Sequence, residues 1–221
     1  MIASNIQAIK EKLAHDVTLV AVSKLQSITS ILEAYRAGQR HFGENRPQEF
    51  AVKYDQLPQD IVWHLIGHLQ TNKVKMVVGK ATLIHSIDSD RLLWAVEKEA
   101  LKQDIIQNCL LEFHIAMEES KSGFSYDEAL TLITSPKFHH LKAVKICGIM
   151  GMASFVADEQ QIRAEFRTLK NYFDQIKQSF LANDPEFCHL SMGMSGDWPI
   201  AVEEGSTMIR VGSQIFGSRN R

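Results

Sequence analysis

VTLVAVSK, residues 17–24, is rich in Val and Leu and shows no polar alternation before its end. A strand buried on both faces has this composition, and such strands belong to parallel sheets covered by helices. The next stretch supplies a helix: in SITSILEAYRAG, Ile28, Ile31, Leu32 and Tyr35 recur at helical spacing and Gly38 stops the run. The same rhythm continues through HFGEN (41–45), IVWHLIG (61–67), LIHSID (83–88) and CLLEFHIA (109–116). It resumes in KAVKICGIMGMAS (142–154), FCHLSMG (187–193) and STMIRVG (206–212). Amphipathic stretches separate most of these. The longest is DEQQIRAEFRTLKNYFDQIKQSF (158–180), with Ile162, Phe166, Leu169, Phe173 and Ile176 on one face. Ser125 and Glu128 have the spacing of a capping box.

About eight strand–helix units predict an α/β chain closed into a (β/α)8 barrel, with an open doubly wound sheet as the alternative. A barrel of this kind needs roughly 200 to 250 residues. The 221 residues therefore suit a single domain over 1–221, with an extra N-terminal helix beneath or beside the barrel.

Apolar residues make up 45%, enough for one sizeable core, and 24 Lys+Arg nearly balance 26 Asp+Glu. That balance offers no general field for nucleic acid or an anionic membrane, although a local basic pocket remains open. The N-terminus lacks the apolar stretch of a secretion signal, and no run approaches the ~18 apolar residues of a membrane helix. Cys109, Cys147 and Cys188, an odd number within apolar segments, are expected to be reduced core thiols. A cytoplasmic protein, more readily a monomer than an obligate oligomer, is the expectation.

In barrels of this type the site lies where the strands' C-terminal ends open into loops. Lys24 closes the first strand. Apolar surroundings would favour its neutral, nucleophilic amine, which condenses with aldehydes; the alternative is a lysine snorkelling to solvent. SMGMSGD (191–197) and RVGSQIFG (210–217) follow strands seven and eight, the usual phosphate position of the fold. Gly212 and Ser213 would begin a short helix whose amides favour an anion, or the glycines merely permit tight turns. Arg210 shares a strand face with Gly212. It can donate to the ring nitrogen of a bound heteroaromatic group, or form a salt bridge to a barrel glutamate such as Glu44. His64 and His68 have an i, i+4 spacing, but no HExxH glutamate accompanies them, so no metal is expected. Lys121, in ESKSGF (119–124), is a further phosphate or partner contact to consider.

At these residues the chain resembles the pyridoxal 5′-phosphate (PLP) homeostasis family, relatives of the N-terminal barrel of alanine racemase. The resemblance runs through VSK (22–24), FGEN (42–45), HLIGHLQTNK (64–73), EESKSGF (118–124), GIMGMAS (148–154), SMGMSGDW (191–198) and GSTMIRVGSQIFG (205–217). It implies that Lys24 holds PLP as a Schiff base and that Arg210 faces the pyridine nitrogen. It further implies that Ser191, Gly212 and Ser213 hold the phosphate near Met194 and Ser195, with Asn45 and Ile66 around the cofactor. His114, Cys147 and Ser213 stand where Asn, Arg and Thr are usual, and none of these changes removes a proposed contact.

The resemblance implies buffering or delivery of PLP within the cell, with PLP-dependent apo-enzymes as recipients. The alternative is a weak PLP-dependent amino-acid racemase. Racemisation needs a base on each side of the substrate carbon. Alanine racemase takes its second base, a tyrosine, from an additional domain. Here the chain ends just after the eighth strand, and Tyr35, Tyr54, Tyr126 and Tyr172 all fall in predicted helices or at their edges.

Overall fold

The structure, a computed structural model, describes residues 1–117 and 122–217. Eight parallel strands close into a barrel in chain order: β1 (Thr18–Val22), β2 (His41–Glu44), β3 (Val62–Leu65), β4 (Leu83–Ile87), β5 (Gln107–Phe113), β6 (Val144–Gly151), β7 (His189–Ser191) and β8 (Met208–Val211). Closure is made by β8 against β1, where Val20 is level with Arg210. The expected (β/α)8 barrel is therefore the fold.

Side chains alternate across each strand, so each strand serves two cores. Leu19, Ala21, Phe42, Trp63 and Leu65 belong to the larger outer core, beneath the helices. Val20, Leu83, Leu110, Cys147, Met150 and Met208 form a separate, smaller cluster inside the barrel. The covering helices are α2 (Ile28–Arg36), α3 (Pro47–Gln56), α4 (Asp90–Lys102), α5 (Tyr126–Thr134) and α6 (Glu159–Ser179), with short α7 (Trp198–Glu203) and α8 (Ser213–Phe216). The five apolar positions read from the α6 sequence are all buried, and the capping box at Ser125 is formed. Between β3 and β4 only a 3-10 segment, Thr71–Met76, covers the sheet.

The N-terminal helix α1 (Ile2–Lys10) packs outside the barrel against α2 and α8, where Asn5 donates to the Ile215 carbonyl at 2.9 Å. Two of the three cysteines are buried, but Cys188 is exposed. It precedes β7 on a loop, so the apolar residues around it in sequence do not cover it. No helix among the described residues is long and apolar enough to cross a membrane.

One irregularity shapes the interior. The β5–β6 register steps from Cys109 opposite Ile146 to Leu110 opposite Gly148, inserting one residue into β6. This bulge shifts the alternation, so that Cys147 before it and Met150 after it both face inward. Gly148 sits at φ +152°, and a Cβ there would collide with the His189 carbonyl of β7. Gly148→Ala should therefore destabilise the barrel by on the order of 3 kcal/mol, read as a lower denaturant midpoint.

Candidate functional site

The C-terminal mouth collects several of the residues singled out from the sequence. Lys24 lies in the turn after β1, Asn45 directly follows β2, and Ile66 directly follows β3. By alternation all three continue the inward faces of their strands. Crowding agrees: a Cβ on Gly43 would lie 3.0 Å from both Ile66 Cδ1 and Val20 Cγ1.

The Lys24 turn is clamped from outside the sheet. Lys53, buried on α3, donates to the Ser23 carbonyl at 2.7 Å, to Glu44 at 2.8 Å and to Glu49 at 2.7 Å. The Ser23 hydroxyl donates to Glu44 at 2.6 Å. Leu25, at φ +63°, donates its N–H to Glu49 at 2.5 Å. Both neighbours of Lys24 are thus tied to one ion cluster. Burial pushes the Glu44 carboxyl above the usual carboxylate range, while Lys53 pulls it back down. A salt bridge between Glu44 and Arg210 is not formed. Glu44 shares its strand face with Phe42, toward α3, whereas Arg210 points inside.

Arg210 is 3% exposed. It donates through Nη1 to the Ser191 hydroxyl at 2.6 Å and through Nη2 to the Gly151 carbonyl at 3.1 Å. Burial lowers its guanidinium to about 10, with Asp197 and Glu112 acting in the opposite direction, so it remains charged at neutral pH. Glu112, on the inward face of β5, is raised by burial to about 7 and accepts from Ser122 at 3.2 Å. Sequence reasoning passed over Glu112, although a lone carboxylate inside the apolar run CLLEFHIA was the available signal.

The loops after β7 and β8 are joined. Gly212 N–H donates to the Ser195 hydroxyl at 3.1 Å, and Gln214 donates to the Ser195 carbonyl at 2.7 Å. Trp198 donates to Gln214 at 2.8 Å, and Met194 N–H donates to Asp197 at 2.5 Å. A Cβ on Gly212 would sit 3.3 Å from Val22, so only glycine leaves this backbone uncrowded. Ser195, Gly212 and Ser213, the first residue of α8, are thereby brought together. Ser191 is different: it is fully buried in the barrel interior, with its hydroxyl held by Arg210 and by His85 Nδ1 at 3.0 Å.

His64 and His68 do not converge. His64 is buried inside the barrel, while His68 is exposed and pairs with Asp88 at 2.9 Å. No group of His, Cys, Asp or Glu among the described residues is arranged to hold a metal. The four tyrosines lie on α2, α3, α5 and α6. Lys121 lies outside the described residues.

Two stability effects follow. Lys53→Met leaves Glu44 and Glu49 without their cation, and a loss of about 3–5 kcal/mol is expected from denaturant unfolding. His64, held down to about 3 by burial, stays neutral in the fold, whereas in the unfolded chain it protonates near 6.5. Its contribution is therefore present above pH 6.5 and lost as the pH falls toward 3. A stability–pH series of His64→Gln should show a shallower acid limb than the parent.

Comparison with known proteins agrees with the fold. A family model described as the alanine racemase N-terminal domain matches residues 1–220. The pyridoxal phosphate homeostasis protein of Aquifex aeolicus is 39% identical over 202 residues, covering 91% of this chain and 86% of that protein. The protein of the same name from a Synechocystis strain is 38% identical, covering 92% of each. PipY of Synechococcus elongatus, 36% identical, superposes with a TM-score of 0.92 without PLP and 0.89 with PLP bound. The match covers 98% of this chain and 100% of PipY. By whole-length similarity as well as by fold, the chain belongs to the alanine racemase N-terminal domain family, among the pyridoxal phosphate homeostasis proteins.

Proposed function

We propose that this protein binds PLP at the barrel mouth, with Lys24 as the residue that takes the aldehyde, and that it serves PLP homeostasis by buffering or delivering the cofactor. The observation that carries this reading is the pairing of Lys24 and Arg210 on neighbouring strands. Val20 is level with Arg210, and Lys24 lies four residues further toward the mouth on the same inward face. Arg210 thus lies deeper in the barrel than Lys24, on the strand next to the one that Lys24 follows.

The remaining residues fit the cofactor. Asn45 Oδ1 is buried and has no hydrogen-bond partner among the described residues, leaving an acceptor for a ligand donor. Gly212, Ser213, Ser195 and Met194 line the joined loops, where backbone N–H groups and hydroxyls suit a phosphate. Ile66 supplies an apolar wall. PLP, when bound, brings an electrophilic aldehyde and an electron-withdrawing ring. Arg210, protonated at neutral pH, would donate to the ring nitrogen and hold it unprotonated, which would weaken the ring as an electron sink.

That arrangement favours holding over carbanion chemistry. The racemase alternative gains no support, since none of the four tyrosines is at a strand end facing Lys24. Residues 1–221 act in this reading as one unit, a cytoplasmic monomer whose recipients are PLP-dependent apo-enzymes.

The test is absorbance of the purified protein with PLP, followed by borohydride reduction and peptide mass mapping. A single pyridoxyl adduct on Lys24, absent in Lys24→Ala, is expected. An adduct scattered over surface lysines would overturn the site. Delivery requires that bound PLP reach an apo-enzyme faster than it dissociates; equal rates would reduce the role to storage.

A further inference from the structure

Three histidines that the cofactor reading does not use cross the barrel interior in a row. His41 Nδ1 meets His64 Nε2 at 3.0 Å, and His64 Nδ1 meets His85 Nε2 at 2.9 Å. His85 Nδ1 meets the Ser191 hydroxyl at 3.0 Å, and Arg210 donates to that hydroxyl at 2.6 Å. Every contact joins the Nδ1 of one ring to the Nε2 of the next, or finally to Ser191.

A neutral imidazole has one donor and one acceptor nitrogen. Fixing one ring therefore fixes the others, because a mismatch would set two N–H groups or two lone pairs face to face in a buried site. Only two arrangements satisfy the row: all Nδ1–H, or all Nε2–H. In the first, His85 and Arg210 both direct protons at Ser191. In the second, Ser191 donates to His85, and every ring turns its lone pair toward the guanidinium.

A buried cation selects the second. The competing charge is Lys10, near His41 at the opposite end, and it is exposed and screened by water. Burial keeps His64 and His85 neutral, so each ring has one donor and one acceptor nitrogen. His189, on β7, stands close enough to influence all three rings, but it is not a link in the chain of contacts.

We propose that His41, His64 and His85 form a single polarised row, each ring carrying its proton on Nε2, and that the row is a positioning device for Arg210. Through Ser191 it holds the guanidinium with its charge directed at the ligand. The half-buried end, His41, lines a cleft of about 320 Å³ with Lys10, His15 and Arg40 at the barrel's opposite face. The tautomeric state is a property of the protein alone; its role in cofactor binding rests on the proposed function.

The experiment is ¹⁵N NMR of histidine-labelled protein near neutral pH, before and after PLP addition. Three Nε2–H tautomers are expected in the PLP-free protein. Any of the three found as Nδ1–H, or charged, would overturn the proposal. Arg210→Met removes the selecting charge and is expected to mix the tautomers of all three rings, out to His41. A change confined to His85 would show that the rings are not one unit. Should that variant fail to fold, Ser191→Ala severs the row from Arg210 and is read in the same way. His85→Phe should weaken PLP binding about tenfold, with partial recovery in His85→Gln; unchanged affinity would refute the positioning role. A parent protein that binds no PLP would instead remove the cofactor reading and leave the tautomer result standing.

Discussion

A guanidinium buried inside an eight-stranded barrel must find acceptors without help from water, and much of the interior is built around that need. Arg210 takes one acceptor from β7, the Ser191 hydroxyl, and one from β6, its last carbonyl at Gly151. The Gly148 bulge belongs to the same solution. By inserting a residue it changes which β6 side chains face inward just before that carbonyl is offered. Ser191 in turn needs a partner beyond Arg210, and His85 provides one. A polar path that reaches back to β2 is thus anchored by one charge.

A second charge cluster lies on the other side of the sheet. Glu44, Lys53 and Glu49 are tied between β2 and α3, and they hold the backbone on both sides of Lys24. A buried ion pair of this kind is weak evidence for net stability, because desolvation offsets much of the attraction. Its value here is geometric. Leu25 adopts a left-handed backbone, unusual for a branched side chain, and Glu49 accepts its N–H. The turn that presents the amine is therefore fixed by groups that never enter the site.

Most of the architecture was legible in the chain because buried parallel strands leave long apolar runs. Eight such runs, most of them separated by amphipathic stretches, favoured a closed barrel over an open sheet. The position of Lys24 at a strand end, and the two-residue spacing that puts Arg210 on one face with Gly212, also marked both as site candidates. What was not legible depended on contacts formed only after closure. His41, His64 and His85 are 23 and 21 residues apart, each on its own strand, and only the barrel makes them neighbours. Glu44 was an open choice for Arg210, since a four-residue strand gives little pattern from which to read its faces. Cys188 looked buried because its sequence neighbours are apolar, yet its position before β7 exposes it.

The manner in which Arg210 is solvated bears on what the site can do. Among the described residues its contacts are a hydroxyl and a carbonyl, and no carboxylate lies within ion-pair distance. Asp197 and, after it, Glu112 act on it from beyond that distance, and Glu112, raised to about 7 by burial, carries only part of a charge at neutral pH. Dipoles stabilise a cation without cancelling its field. A neutralising carboxylate would have closed the site electrostatically, leaving little attraction for an anionic ligand. A dipole-held guanidinium instead keeps a field at the mouth of the barrel, in a place where water screens it poorly. Binding strength for an anionic ligand is thereby available from the protein's own charge distribution.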